Sequence, residues 1–156
     1  MLEIERKFLV RTDLWKPSTN GEAIAQGYLS DVPERTVRVR IRGDKGYITV
    51  KGKNDGISRA EYEYEIPLKD AEELLKLCEP PILIKRRHVE NVDGTIFEVD
   101  VFAGENAPLV LAEVELAEPS APFPRPVWLG KEVSDDSRYY NSYLARHPYG
   151  LWIKGK

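Results

Sequence analysis

Polar and apolar positions alternate along most of this chain. From 2 to 10, Leu2, Ile4, Phe8 and Val10 share one parity, with Arg6 the exception, and Glu3, Glu5 and Lys7 share the other. A period of two sustained that long predicts a β-strand. Val37, Val39 and Ile41 alternate in the same way with Arg38, Arg40 and Arg42, and Gly43-Asp44-Lys45-Gly46 turns that strand into a returning one at 47–51. Further strands are expected at 24–29, at 60–67 with Glu61, Glu63 and Glu65 on one face, at 82–89, at 95–102 and at 110–116. Asp93-Gly94 joins the runs at 82–89 and 95–102 after the hairpin pattern of a tight turn. One helix is expected at 70–79, capped by Asp70, with Leu74, Leu75, Leu77 and Cys78 as its apolar stripe and Pro80-Pro81 as its stop. Ser134-Asp135-Asp136 marks a second helix start before Tyr139, Tyr143 and Leu144. Residues 11–22 and the proline-dense 119–126 read as connections. The expected fold is α+β: eight antiparallel strands closed, or nearly closed, into a barrel with a few flanking helices, one domain over 1–156.

Composition narrows the setting. With 156 residues, 42% of them hydrophobic, the chain can bury a core without a disulfide or metal staple, and Cys78 has no internal partner. Acids at Glu3 and Glu5 occupy the place where a signal peptide needs an apolar stretch, and no apolar run nears the ~20 residues of a membrane helix. A net charge of −3 gives no global basic field for nucleic acid. A cytoplasmic protein with no nucleic-acid or membrane partner is expected; a homodimer is left open.

The candidate chemistry lies in the charged parity. Glu3/Glu5, Arg38/Arg40/Arg42, Lys51/Lys53, Glu61/Glu63/Glu65, Lys85/Arg87, Glu98/Asp100 and Glu113/Glu115 are rows of one sign two residues apart. Any one row reads as the solvent face of a half-exposed sheet. The set does not, because like charges ~6.7 Å apart repel by ~0.6 kcal/mol in water and ~2.5 kcal/mol at an effective dielectric near 20. Cations would offset the acidic rows and a polyanion the basic ones, and a closed barrel with its charged parity inward would gather both. Facing carboxylates are hard ligands suited to Mg²⁺ or Mn²⁺, whereas His88, His147 and one Cys make a poor zinc set and both histidines are expected at the surface. Arg and Lys rows suit phosphate oxygens, so a tri- or polyphosphate bridged by divalent metal satisfies every row. No P-loop and no Gly-x-Ser-x-Gly elbow is present.

Glu3-Ile4-Glu5-Arg6-Lys7-Phe8-Leu9-Val10 resembles the Glu-x-Glu-x-Lys signature of the CYTH superfamily, the triphosphate tunnel metalloenzymes. The resemblance continues through Gln26-Gly27-Tyr28-Leu29, Arg38-x-Arg40, Lys51, Glu61-x-Glu63, Lys85-x-Arg87, Phe97 to Phe102, Glu113-x-Glu115 and Val133 to Tyr139, and is strongest to the short bacterial tripolyphosphatases. It implies a tunnel of eight antiparallel strands with substrate threading its centre. It implies one or two divalent ions on Glu3, Glu5, Glu113 and Glu115, with Glu61, Glu63 and Asp100 as further or water-mediated ligands. Lys7, Arg38, Arg40, Lys51, Lys85 and Arg87 would grip phosphate, Arg138 would close one end, and Lys85, or else Lys51, would serve the leaving phosphate as acid. Arg42, Lys53 and Glu65 would lie at the mouths. Trp15, Trp128 and Trp152 receive no role beyond packing. Hydrolysis of inorganic triphosphate, with nucleoside or thiamine triphosphates as further substrates, is the function the resemblance implies. A class IV adenylate cyclase and a non-catalytic polyphosphate or nucleotide binder are the alternatives.

Overall fold

The computed structural model describes residues 2–154; the ends of the expected 1–156 span, Met1, Gly155 and Lys156, lie outside the described residues. Nine strands form one antiparallel sheet: β1 (Leu2–Val10), β2 (Glu22–Ser30), β3 (Arg35–Arg42), β4 (Lys45–Gly52), β5 (Ser58–Ile66), β6 (Leu83–Val92), β7 (Thr95–Phe102), β8 (Val110–Glu115) and β9 (Leu129–Glu132). Their order is β5-β4-β3-β2-β6-β7-β8-β1-β9, and a further β5–β1 pairing closes the first eight into a barrel. β1 is shared along its length, with Leu2–Ile4 pairing β5, Glu5–Leu9 pairing β8, and Phe8 and Val10 pairing β9. The β6–β7 hairpin turns at Asp93 and Gly94, both with positive φ (51° and 89°), as a two-residue primed turn demands.

Three helices flank the barrel: α1 (Leu68–Leu77), α2 (Asn141–Arg146) and α3 (Tyr149–Lys154). α1 starts two residues ahead of the expected 70–79, because the chain leaves β5 through Pro67 directly into the helix and Asp70 sits in the first turn instead of capping it. It lies so close to β4 that a Cβ on Gly46 would meet the Ala71 Cβ at 2.5 Å, which requires glycine there. β9 and α3 were not expected from the sequence; β9 is short and edge-paired, and carries no alternation long enough to register. No helix among the described residues is long and apolar enough to cross a membrane.

The apolar residues pack around the barrel and at one end. Ile4, Phe8, Phe97 and Val114 face outward beneath the 117–128 connection, which contributes Phe123 and Trp128, and Val39 packs outward on Ala71 and Cys78. The inward parity stays charged through Lys7, Lys85, Asp100 and Glu113, then turns apolar at Leu9, Leu83, Phe102 and Leu111. Those residues cluster with Tyr28, Tyr139 and Leu144, so the segment around α2 stoppers one end of the lumen. His88 departs from its expected surface position: it is buried against Trp15 (ring centroids 5.3 Å) with Nδ1 at 3.0 Å from the Thr19 carbonyl, and holds the 11–21 connection on the barrel. His147 is exposed, as expected.

Candidate active site: a lumen with charge of both signs

Strand alternation carries the charged rows into one cavity of about 240 Å³. Glu3, Glu5 and Lys7 of β1, Arg38, Arg40 and Arg42 of β3, Lys51 of β4, Arg59, Glu61 and Glu63 of β5, Lys85 and Arg87 of β6, Glu98 of β7, and Glu113 and Glu115 of β8 all line it. The sheet fixes them in place because i and i+2 on each strand point the same way.

Beneath α2 the carboxylate of Asp100 is matched by two cations. Asp100 (2% exposed) accepts from Lys85 Nζ at 2.8 Å and from Arg87 Nε and Nη2 at 2.8 and 2.9 Å. Burial would raise its carboxyl, but Lys85 and Arg87 outweigh that and hold it far below the ordinary carboxylate range. Burial, with Arg87 and Arg40 adding repulsion against the pull of Asp100, brings the Lys85 ammonium down to about 7. Burial also lowers Arg40, whose Nε donates to Gln26 Oε1 at 2.9 Å. Arg38 is buried too, and its Nε has no hydrogen-bond partner among the described residues.

Around Glu3 and Glu5 the carboxyls meet one another. Glu5 lies within hydrogen-bonding reach of Glu113, and Glu3 within reach of Glu61. Burial and then the Glu113 charge push Glu5 well above the ordinary range, so the pair gives up its proton less readily than separate carboxyls would. Burial acts to raise Glu113 as well, but the Lys7 ammonium at 3.5 Å and the Glu5 hydrogen bond hold it low. Glu3 is raised by burial and by Glu61, with Lys51 at 3.1 Å from Glu3 and 3.7 Å from Glu61 working against the rise. Among the described residues no three carboxylates, imidazoles or thiols already converge on one point as a metal cage. The donor set nonetheless fits a hard divalent cation: it is all oxygen, and carboxyls sharing a proton stand where a cation would replace that proton.

Most of the residues singled out in the sequence meet here, with four exceptions: Asp100, Arg138, Lys53 and Glu65. Asp100 is not a lumen group; both its oxygens are taken by Lys85 and Arg87, and its row partner Glu98 lines the cavity instead. Arg138 is outside, bound to Asp136 (2.6 Å) and set over the Trp152 ring (4.9 Å), so it closes nothing. Lys53 and Glu65 are exposed and do not line the cavity, whereas Arg42 does. Arg59, Gln26 and Asn141 were missed. Arg59 continues the inward parity of Glu61 and Glu63, a signal hidden by its opposite sign; Gln26 and Asn141 are neutral and belong to no row.

A closed antiparallel barrel whose inner wall carries charge of both signs defines a triphosphate tunnel fold. The chain belongs to the CYTH domain family, whose model matches residues 1–142. It is 49% identical over 148 residues to an inorganic triphosphatase of Acetivibrio thermocellus, covering 94% of this chain and 95% of that protein. An inorganic triphosphatase of Nitrosomonas europaea is 41% identical, over 93% of this chain and 97% of its own length. A crystal structure of an inorganic triphosphatase superposes with a TM-score of 0.67 at 37% identity, covering 92% of this chain and 93% of the other.

Proposed function

We propose that this protein hydrolyses inorganic triphosphate to phosphate and pyrophosphate with a divalent cation, Mg²⁺ or Mn²⁺, in the barrel lumen. The observation that carries the reading is the convergence of Lys7, Arg38, Arg40, Arg42, Lys51, Arg59, Lys85 and Arg87 on one cavity, with the buried Arg38 Nε lacking any acceptor among the described residues. A buried guanidinium N–H without a partner is costly, and an oxyanion satisfies it. Two relatives named inorganic triphosphatase support the substrate.

Glu5 and Glu113, with Glu3, Glu61 and Glu115 beside them, would hold the cation. When bound it supplies charge neutralisation at the phosphate oxygens and a water of lowered pKa. The chain's own residues do the rest. Arg38, Arg40 and Arg87 grip and orient phosphate oxygens, since phosphoryl transfer asks mainly for positioning and neutralisation. Lys85, buried with its ammonium near neutral pKa, donates a proton to the departing phosphate oxygen. Lys51, held between Glu3 and Glu61, balances the acidic wall and serves phosphate from the opposite side.

The test is turnover of tripolyphosphate, ATP and thiamine triphosphate with Mg²⁺ or Mn²⁺, with phosphate, pyrophosphate and cyclic AMP resolved. Phosphate release, fastest from tripolyphosphate, is the expected result. Cyclic AMP from ATP would mark a cyclase, and no product at all a binding protein; either would overturn the proposal.

A further inference from the structure

The stoppered end of the lumen holds two amide side chains that the reaction as described leaves without a task. Gln26 is fully buried on β2, and Asn141 is the first residue of α2. Their orientations follow from chemistry, because the Lys85 ammonium and the Arg40 guanidinium only donate. The amide oxygens must therefore face them: Asn141 Oδ1 accepts from Lys85 Nζ at 2.7 Å, and Gln26 Oε1 from Arg40 Nε at 2.9 Å. Gln26 Nε2 then donates to Tyr28 Oη at 3.0 Å and to Asn141 Oδ1 at 3.4 Å. The two amides yoke a phosphate-gripping arginine to the lysine that serves as acid.

The Asn141 side chain is not there to cap its own helix; the residue ahead of α2 is Tyr140, and no side chain caps that end. What Asn141 does is visible in the ammonium. Lys85 has three N–H groups; Asp100 Oδ2 takes one at 2.8 Å and Asn141 Oδ1 a second. In a tetrahedral group, two fixed bonds leave the third a single direction. The bond to Asp100 sets the torsion about Cε–Nζ through one contact, and the second contact, to Asn141 Oδ1, holds the ammonium against rotating or swinging out of it.

We propose that Asn141 is a positioning residue: its carboxamide oxygen, carried on α2 and braced by Gln26, fixes the Lys85 ammonium so that the remaining N–H points into the lumen at the phosphate group that leaves. This rests on the hydrolytic reading above. It makes the segment that stoppers the barrel a working part of the site, since the acid's geometry is set from α2 as well as from the sheet.

The experiment uses the full chain, with Asn141→Ala and Asn141→Asp compared with the parent, all three checked for unchanged melting. Asn141→Ala lowers kcat for tripolyphosphate about 10- to 100-fold with KM nearly unchanged, because misplacement costs the transition state and not ground-state binding. Asn141→Asp keeps an oxygen at the same place and recovers most of kcat. The ¹⁵N–¹H signal of the Lys85 ammonium, read without substrate, broadens or shifts in Asn141→Ala and persists in Asn141→Asp. Equal loss of kcat in both variants, or an Asn141→Ala protein with an unaltered Lys85 signal, overturns the proposal. A parent that turns over no triphosphate would remove the hydrolytic reading, and the Lys85 signal would still decide whether Asn141 holds the ammonium.

Discussion

Around Asp100, one carboxylate meets an ammonium and a guanidinium at 2.8 Å each, deep under α2, and every charge has an opposite within reach. Around Glu5, on the β1–β8 wall of the same lumen, carboxyls meet carboxyls, and burial with the Glu113 charge pushes Glu5 well above the ordinary range. In the first region the carboxylate is fully paired and anchors Lys85 and Arg87 on the cavity wall. The second is electrostatically unfinished, which a folded protein tolerates where a ligand brings the missing charge. Like-charged rows two residues apart thus meet different partners: Asp100 finds two cations within the chain, whereas Glu5 finds another carboxyl, where the proposed cation would sit.

The largest effect should come from breaking the finished side. Asp100→Asn leaves the buried Lys85 and Arg87 uncompensated, a loss of roughly 3–5 kcal/mol. At this chain length that lowers the melting midpoint by on the order of 10 °C. A scan by circular dichroism measures it, and a loss confined to activity would show that Asp100 acts on the ligand and not on the scaffold.

Next comes the contrast in pH. Asp100 is held below its ordinary value, so its contribution is present above about 3.8 and is lost as pH falls below that. Glu5 is raised, so between 4.5 and its higher folded value the native state binds more protons than the unfolded one. Stability of the ligand-free protein therefore declines as pH rises through that window. The melting midpoint without metal should fall between pH 5 and pH 7 in the parent and fall less in Glu5→Gln. A smaller effect follows from adding Mg²⁺ or Mn²⁺, which stabilises by about 2.7 kcal/mol at a hundred times Kd, more at pH 7 than at pH 5 because the ion displaces a proton. The smallest belongs to Arg138→Ala. Its partner Asp136 and its aromatic contact with Trp152 lie outside the lumen, so turnover and melting should match the parent within error.

How much of this the sequence disclosed follows from what a period of two can say. Alternation over 2–10 and 95–102 defined β1 and β7 to the residue, and the charged parity pointed to Glu5, Lys7, Arg87 and Glu113 as lining of one cavity. Alternation names a face but not a depth. Glu98 and Asp100 share a face, yet one lines the cavity and the other is sealed behind it by two cations. Depth depends on which strands lie opposite and on what stoppers the barrel, which are non-local facts. Neutral residues carry no sign, so Gln26, quoted only within a motif, received no role and Asn141 was not noticed, although they hold Arg40 and Lys85. His88 misled for the opposite reason: it faces outward by parity, but the 11–21 connection covers it, and nothing local to β6 shows that cover.

The most direct test of the unfinished wall is a proton count. Calorimetric titration of the protein with Mn²⁺ at pH 7, repeated in buffers of different ionisation enthalpy, gives the protons released per ion bound. Close to one proton should leave in the parent, and Glu5→Gln should lose both the release and most of the affinity. Tight binding with no proton released, or an unchanged isotherm in Glu5→Gln, would mean that the carboxyl pair of Glu5 and Glu113 is not where the cation goes.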